Sequence, residues 1–189
     1  TTGAHIWNIS FASFPGTPVI EEGIIYIPSY YENKFFAINA TTGSIIWSRY
    51  STGNYHPYGT AVLSCGRVYY PTNWYGRLYG LDKTNGNILF EYYNSDFVGW
   101  ISNYYAGTED WAMPVAAEGK IFSGEKYRGR IYAFDACTGN LIWRTAPLGS
   151  TEYVRRLAYK EGVLYAAIGS VHPSQTNVRP LPRPAIYAL

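Results

Sequence analysis

Short apolar runs separated by clusters of Gly, Asn, Asp, Thr and Pro cover the chain, and no segment repeats its apolar positions at the three- or four-residue spacing of a helix. Alternation at a period of two predicts strands instead. Residues 17–23, 60–66, 113–119 and 156–162 each form a strand pattern closed by a glycine turn, and each is followed by a second strand around Ile25, Val68, Ile121 or Leu164. A third strand follows in Phe36-Ala37-Ile38-Asn39, Tyr79-Gly80-Leu81-Asp82 and Tyr132-Ala133-Phe134-Asp135, each running into polar turn residues.

A fourth strand is marked by one recurring string. Glycine precedes an aromatic residue by four positions at Gly3 and Trp7, Gly43 and Trp47, Gly86 and Phe90, and Gly139 and Trp143. These glycines lie 40, 43 and 53 residues apart, the period of a four-stranded propeller blade with loop insertions. Each unit is then an antiparallel meander of strands A, B, C and D. The C to D turn needs a residue with positive φ, which Gly43, Gly86 and Gly139 supply, while Asn39, Asp82 and Asp135 accept backbone N–H bonds across it. One such sheet cannot bury both faces, so the units must stack around an axis, and the aromatic residue of strand D fills the wedge between neighbours. The predicted fold class is all-β, a β-propeller of four-stranded antiparallel blades. Trp7, Trp47, Phe90 and Trp143 are its structural docking residues, and truncating a docking tryptophan is expected to cost about 3 to 5 kcal/mol.

The segment Ala133-Phe134-Asp135-Ala136-Cys137-Thr138-Gly139-Asn140-Leu141-Ile142-Trp143 closely resembles the tryptophan-docking motif of quinoprotein-like (PQQ-like) β-propellers, Ala-x-Asp-x-x-Thr-Gly-x-x-x-Trp. The resemblance covers essentially the whole chain, with Asn39 for Asp, Gly80 for Ala, Asn85 for Thr and Phe90 for Trp as mild departures. It implies a division into an orphan D strand at residues 1–10, blades at 17–50, 59–93 and 112–146, and an incomplete blade at 155–189. Two geometries fit. Either the first strand closes the last blade in a four-bladed ring, or the chain is a slice of the seven- or eight-bladed ring usual in this family. The slice is favoured, because rings of this family are larger and because the chain starts inside a C to D turn and stops in a C strand just before one.

Composition narrows the function classes. Hydrophobic residues make up 47% and aromatics 18%, enough to bury a core, whereas charged residues reach only 15% with a formal net charge of +2. A nucleic-acid footprint is therefore not expected. The sequence holds no run of 18 apolar residues and its first residues lack a secretory-signal pattern, so no membrane span is expected. Cys65 and Cys137 are too few for a disulfide framework and lack zinc-ligand spacing, which leaves the redox compartment open. Two acceptor tripeptides, Asn8-Ile9-Ser10 and Asn39-Ala40-Thr41, together with the many tyrosines and few charges, lean towards an extracytoplasmic location: secreted, periplasmic or cell surface.

In a propeller the B to C and D to A connections share one face, where function concentrates. That face should carry residues 51–59 with Tyr55, His56 and Tyr58; the insertion 94–111 with Asp96, Trp100, Tyr104, Tyr105, Glu109, Asp110 and Trp111; and residues 146–153 and 169–184. Aromatics beside carboxylates suit sugars, cations or a peptide. Arg155, with Arg156, Arg179 and Arg183, would bind an anion if the last loop folds inward. The expected ligand- or partner-binding set is Tyr55, His56, Tyr58, Asp96, Trp100, Tyr104, Tyr105, Asp110, Trp111 and Arg155. Tyr26, Tyr69, Tyr79, Tyr132 and Tyr165 are assigned to packing. No catalytic residue or metal ligand is expected, since His5 and His172 lack spaced partners and the twelve-residue calcium loop is missing.

The resemblance raises an enzymatic alternative, because the family includes alcohol dehydrogenases that hold pyrroloquinoline quinone and Ca²⁺ on the axis. Those enzymes carry adjacent cysteines under the quinone, whereas Cys65 and Cys137 read as isolated, one after strand A and the other in a C to D turn. Their Thr-Gly-Asn metal-ligand segment follows a B strand, whereas Thr52-Gly53-Asn54 follows a D strand. The expectation is a cofactor-free, non-catalytic scaffold or binding module that meets a protein or glycan through its loop face, with missing blades of the same or another chain as further partners. The alternative is a fragment of a PQQ- and Ca²⁺-dependent quinoprotein alcohol dehydrogenase. A third reading, glycan processing by Asp96, Glu109 or Asp110, needs two carboxyl groups about 5 to 9.5 Å apart in a cleft.

Overall fold

The computed structural model describes residues 3–12, 15–52, 56–57, 59–72, 77–93, 112–125, 129–147, 152–170 and 185–189. Among these there are fifteen strands and no helix, arranged in four antiparallel meanders. The first sheet runs β1 (Val19–Glu21), β2 (Ile24–Ser29), β3 (Lys34–Asn39), β4 (Ile45–Tyr50). The second runs β5 (Val62–Ser64), β6 (Arg67–Pro71), β7 (Arg77–Asp82), β8 (Ile88–Tyr93), and the third β9 (Val115–Ala117), β10 (Lys120–Gly124), β11 (Ile131–Asp135), β12 (Leu141–Arg144). The fourth is three-stranded: β13 (Glu152–Lys160), β14 (Val163–Ser170), β15 (Ala185–Ala188).

The repeat extends to the turns. Each A to B hairpin closes with two residues of positive φ: Glu22 and Gly23, Cys65 and Gly66, Glu118 and Gly119, Glu161 and Gly162. That is the type I′ geometry whose twist matches antiparallel strands. In the C to D turns, Asn39 Oδ1 accepts the amides of Thr41 and Thr42, both at 2.9 Å, and Asp135 Oδ1 accepts those of Cys137 at 2.9 Å and Thr138 at 2.7 Å. The C to D ladder slips register at the same place in all three complete sheets, beside Ala37, Gly80 and Ala133.

Strands B and C are continuous apolar runs because both of their faces are covered. Val68, Tyr70, Tyr79 and Leu81 of the second sheet pack with Tyr26, Phe35 and Ala37 of the first, while Tyr69 and Leu78 turn to Ile121, Tyr132 and Phe134 of the third. Alternate residues of one strand thus serve two neighbours, which is the defining arrangement of radially stacked blades.

The D-strand aromatic reaches forward onto the next C to D turn. Trp7 lies against Gly43, Trp47 against Gly86 and Phe90 against Gly139. A Cβ on Gly43 or Gly86 would sit 2.8 or 2.7 Å from an indole carbon, so these turns need glycine for the close approach as well as for φ of 75° and 73°. Trp7 Nε1 donates to Ala40 O at 3.0 Å and Trp47 Nε1 to Lys83 O at 3.1 Å. Residues 3–11 carry no strand ladder, but Trp7, Ile9 and Phe11 pack on Ile27, Phe36 and Ile38 of the first sheet. Trp143 is 37% exposed and packs on Phe122, with centroids 5.9 Å apart; among the described residues it meets no glycine turn.

Candidate functional site

A meander has two ends. The A to B and C to D turns lie at one, and the B to C turns and D to A connections lie at the other, where the sequence places its candidate residues. His56 and Arg155 fall within the described residues. Tyr55, Tyr58, Asp96, Trp100, Tyr104, Tyr105, Glu109, Asp110 and Trp111 lie outside them, as do His172, Arg179 and Arg183.

His56 is held by the β2 to β3 turn. Its Nδ1 lies 2.8 Å from Tyr30 O, and because a carbonyl only accepts, that nitrogen carries the proton. The imidazole stacks on Tyr30 at 4.6 Å and meets the edge of Tyr31 at 6.2 Å, while Tyr30 and Tyr31 contact edge to face at 4.8 Å. The turn is tight because Asn33 adopts φ 54° and returns its amide to Tyr30 O at 3.0 Å. Each ring therefore fixes the next, and Tyr31 is left 67% exposed. Beside it Lys34 sits 4.7 Å over the ring of Tyr50, which is 62% exposed, and the second sheet repeats the pair as Arg77 over Tyr93 at 5.0 Å. Exposed rings braced by a cation and by each other form a contact surface with little side-chain entropy to lose.

Arg155 is the extra residue of a bulge between Val154 and Arg156 in β13. The bulge turns it outward to solvent, and its carbonyl accepts Arg156 Nη1 at 2.9 Å.

The sequence reading missed two buried polar clusters at this end. Ser51 Oγ lies 3.3 Å from the hydroxyl of fully buried Tyr70, and the Tyr79 hydroxyl meets both Thr52 and Glu91, with Glu91 paired to Arg77. Burial holds the Tyr70 phenol well above its ordinary range. In the third sheet Tyr132 donates to buried Glu125 at 2.7 Å, with Arg130 Nε 4.0 Å from the same carboxylate. Burial, then the Glu125 hydrogen bond, raises the Tyr132 phenol likewise. The available signal was a basic residue at the start of each complete C strand, Lys34 and Arg77 as its first residue and Arg130 just before it. The first cluster ties the segment after β4 to the second sheet, and the second ties the B to C corner of the third sheet to its own strands.

The opposite end corrects the reading of the cysteines. Cys65 in the A to B turn of the second sheet and Cys137 in the C to D turn of the third form a disulfide, with Cα atoms 5.1 Å apart. The same slot between the first and second sheets holds Lys83 Nζ at 2.7 Å from Glu21 and 2.8 Å from Glu22, contacts that raise the lysine's proton affinity.

A family model described as outer membrane protein assembly factor BamB, built on PQQ-like repeats, matches residues 1–97, just over half of the chain. The chain belongs to this PQQ-like repeat family. BamB from Moraxella catarrhalis is 22% identical, with a TM-score of 0.63 over 81% of this chain and 43% of that one. Quinohemoprotein alcohol dehydrogenase from Comamonas testosteroni is 20% identical, with a TM-score of 0.63 over 82% of this chain and 29% of that one. The computationally designed Ika4 protein is 12% identical, with a TM-score of 0.67 over 90% of this chain and all of its own. These identities show a shared propeller fold, and the chain spans less than half the length of the two natural proteins. A comparison with curated protein sequences finds no match.

For a PQQ-like repeat protein the question is whether the residues fit a quinone site. Cys65 and Cys137 are committed to a bond between two blades at the A to B and C to D end, so they do not form the adjacent pair of the quinone enzymes. Among the described residues no group of three or more His, Cys, Asp or Glu side chains is placed to hold a metal ion. Among the described residues, then, neither the adjacent cysteines nor a group of metal ligands of such a site is present. No helix among them is long and apolar enough to cross a membrane.

Proposed function

We propose that this chain is a cofactor-free, non-catalytic propeller module of an extracytoplasmic assembly that contacts a protein partner through the B to C and D to A end of its blades. The carrying observation is the mutually braced cluster of Tyr30, Tyr31 and His56, which presents an exposed ring at the β2 to β3 turn. Membership in a family described as an outer membrane assembly factor supports a protein partner. The disulfide supports the compartment, because such bonds persist where the environment is oxidising.

The test is site-specific photo-crosslinking in the native envelope, from position 31 and, as a control at the other end, from Lys160, whose side chain is 76% exposed. A discrete protein adduct from position 31, lost in His56→Ala, is expected. Adducts of equal yield from both positions, or binding to a glycan array in place of a protein, contradict the reading. The runner-up, a fragment of a PQQ- and Ca²⁺-dependent alcohol dehydrogenase, draws on fold likeness alone. It predicts Ca²⁺-dependent uptake of quinone absorbance, which the first reading does not.

A further inference from the structure

Two positions of the internal repeat depart from their equivalents, and they face one another. The first residue of the A to B turn is glutamate in three units, Glu22, Glu118 and Glu161, and cysteine in the second. All four have positive φ between 48° and 52°, a conformation that favours neither residue type over glycine or asparagine, so the backbone does not explain Cys65. In the C to D turns, threonine stands at Thr41 and Thr84, and Cys137 replaces it in the third unit. The two substitutions meet across the junction of the second and third sheets as a disulfide.

That junction also differs in what else holds it. Ser64 and Ala136 stand where the neighbouring junction has Glu21 and Lys83, so the ionic clasp is missing from those positions. The docking residue is Phe90, which has no N–H to give. The Tyr69 hydroxyl, counterpart of Tyr26, then donates to Ala136 O at 2.6 Å without an indole beside it, while Arg67 adds an attraction to Asp135 across the junction. Both cysteines sit on exposed turns, within reach of a reductant's thiolate.

We propose that the Cys65–Cys137 bond is a redox latch on which an exposed dithiol reductant acts, loosening the junction of the second and third sheets while the junction of the first and second stays closed. A thiolate of the reductant attacks one sulfur and forms a mixed disulfide, and the other cysteine leaves as a thiolate and takes up a proton. The reductant's second thiol then displaces the bound cysteine. The protein gains two electrons and two protons, and the reductant becomes a disulfide. The latch is independent of the partner face, since it lies at the opposite end of the blades.

The test is graded reduction of the full chain with dithiothreitol under native conditions, followed by thiol counting and amide hydrogen exchange read by peptide mass spectrometry. Two thiols should appear before global unfolding. Exchange should quicken at least about tenfold in residues 62–69 and 131–140, and less than about twofold in residues 19–26 and 78–87. A variant carrying Ser64→Glu, Cys65→Glu, Ala136→Lys and Cys137→Thr imports the first junction's clasp and should be indifferent to reductant, with exchange at both junctions unchanged by its addition. Thiols that appear only on global unfolding, exchange that quickens equally at both junctions, or exchange that does not change on reduction would each overturn the proposal.

Discussion

The junction between the first and second sheets and the junction between the second and third solve one packing problem with different chemistry. Both bury a tyrosine-rich apolar wedge and set a D-strand aromatic against a glycine turn. At the first, an indole N–H and the Tyr26 hydroxyl both donate to Lys83 O, at 3.1 Å each, and the rim is closed by charges. At the second, phenylalanine replaces tryptophan, Tyr69 alone of these donors reaches the equivalent Ala136 O, and the rim is closed covalently. Gly80 makes this possible, since a Cβ there would come within 2.8 Å of the Tyr69 ring. The repeat keeps the position of a clasp at each of these junctions while leaving its chemistry free.

The largest expected effect comes from removing the covalent clasp. Its two ends are 72 residues apart, and losing that cross-link in Cys65→Ser with Cys137→Ser should lower the unfolding free energy by about 4 kcal/mol. Lys83→Met at the first junction should cost much less, and nothing measurable at high salt, because that ion pair is exposed and screened. Equal losses in denaturant melts of the two variants would erase the distinction.

The hydrogen-bond difference is smaller and more specific. Tyr69→Phe takes the phenol donor from a buried carbonyl and should cost about 1 to 3 kcal/mol, whereas Tyr26→Phe leaves the Trp47 N–H on Lys83 O and should cost under about 1 kcal/mol. Making Trp47→Phe the background should raise the cost of Tyr26→Phe towards that of Tyr69→Phe, and a double-mutant cycle by chemical denaturation reads this coupling.

The smallest effect concerns what the two receiving turns share. Hydrogen bonds from Thr84 to Asp82, and from Thr138 and Cys137 to Asp135, hold both carboxyls below their ordinary range. Their contribution is complete above the unfolded carboxyl value near pH 4 and is lost as pH falls through the lower folded values. Asn39, in the turn that receives Trp7, does not titrate. Asp82→Asn with Asp135→Asn should therefore flatten the acid limb of stability against pH and change neutral stability little. An unchanged acid slope would remove these turns from the account.

Much of the fold was legible because the information is local and repeated. The glycine-to-aromatic offset, the turn acids at Asp82 and Asp135, and the two-residue periodicity all act within a few residues, and the docking of Trp7, Trp47 and Phe90 follows from them. What was not legible depends on which turns face each other. Cys65 and Cys137 looked isolated because their bond joins the first turn of one unit to the last turn of the next. Aligning the units would have exposed both as departures at facing positions. His56 was singled out, yet its partners Tyr30 and Tyr31 sit 26 and 25 residues earlier in a different unit. The hydroxyl cluster of Ser51, Tyr70 and Tyr79 likewise spans two sheets, and no single-strand pattern announces it.

The most direct test of radial, turn-to-turn stacking is a tryptic map of the non-reduced protein. Residues 50–67 and 131–144 should migrate as one disulfide-linked pair and separate on reduction. Recovery of both peptides unlinked, with both thiols alkylated in folded, oxidised protein, would contradict it.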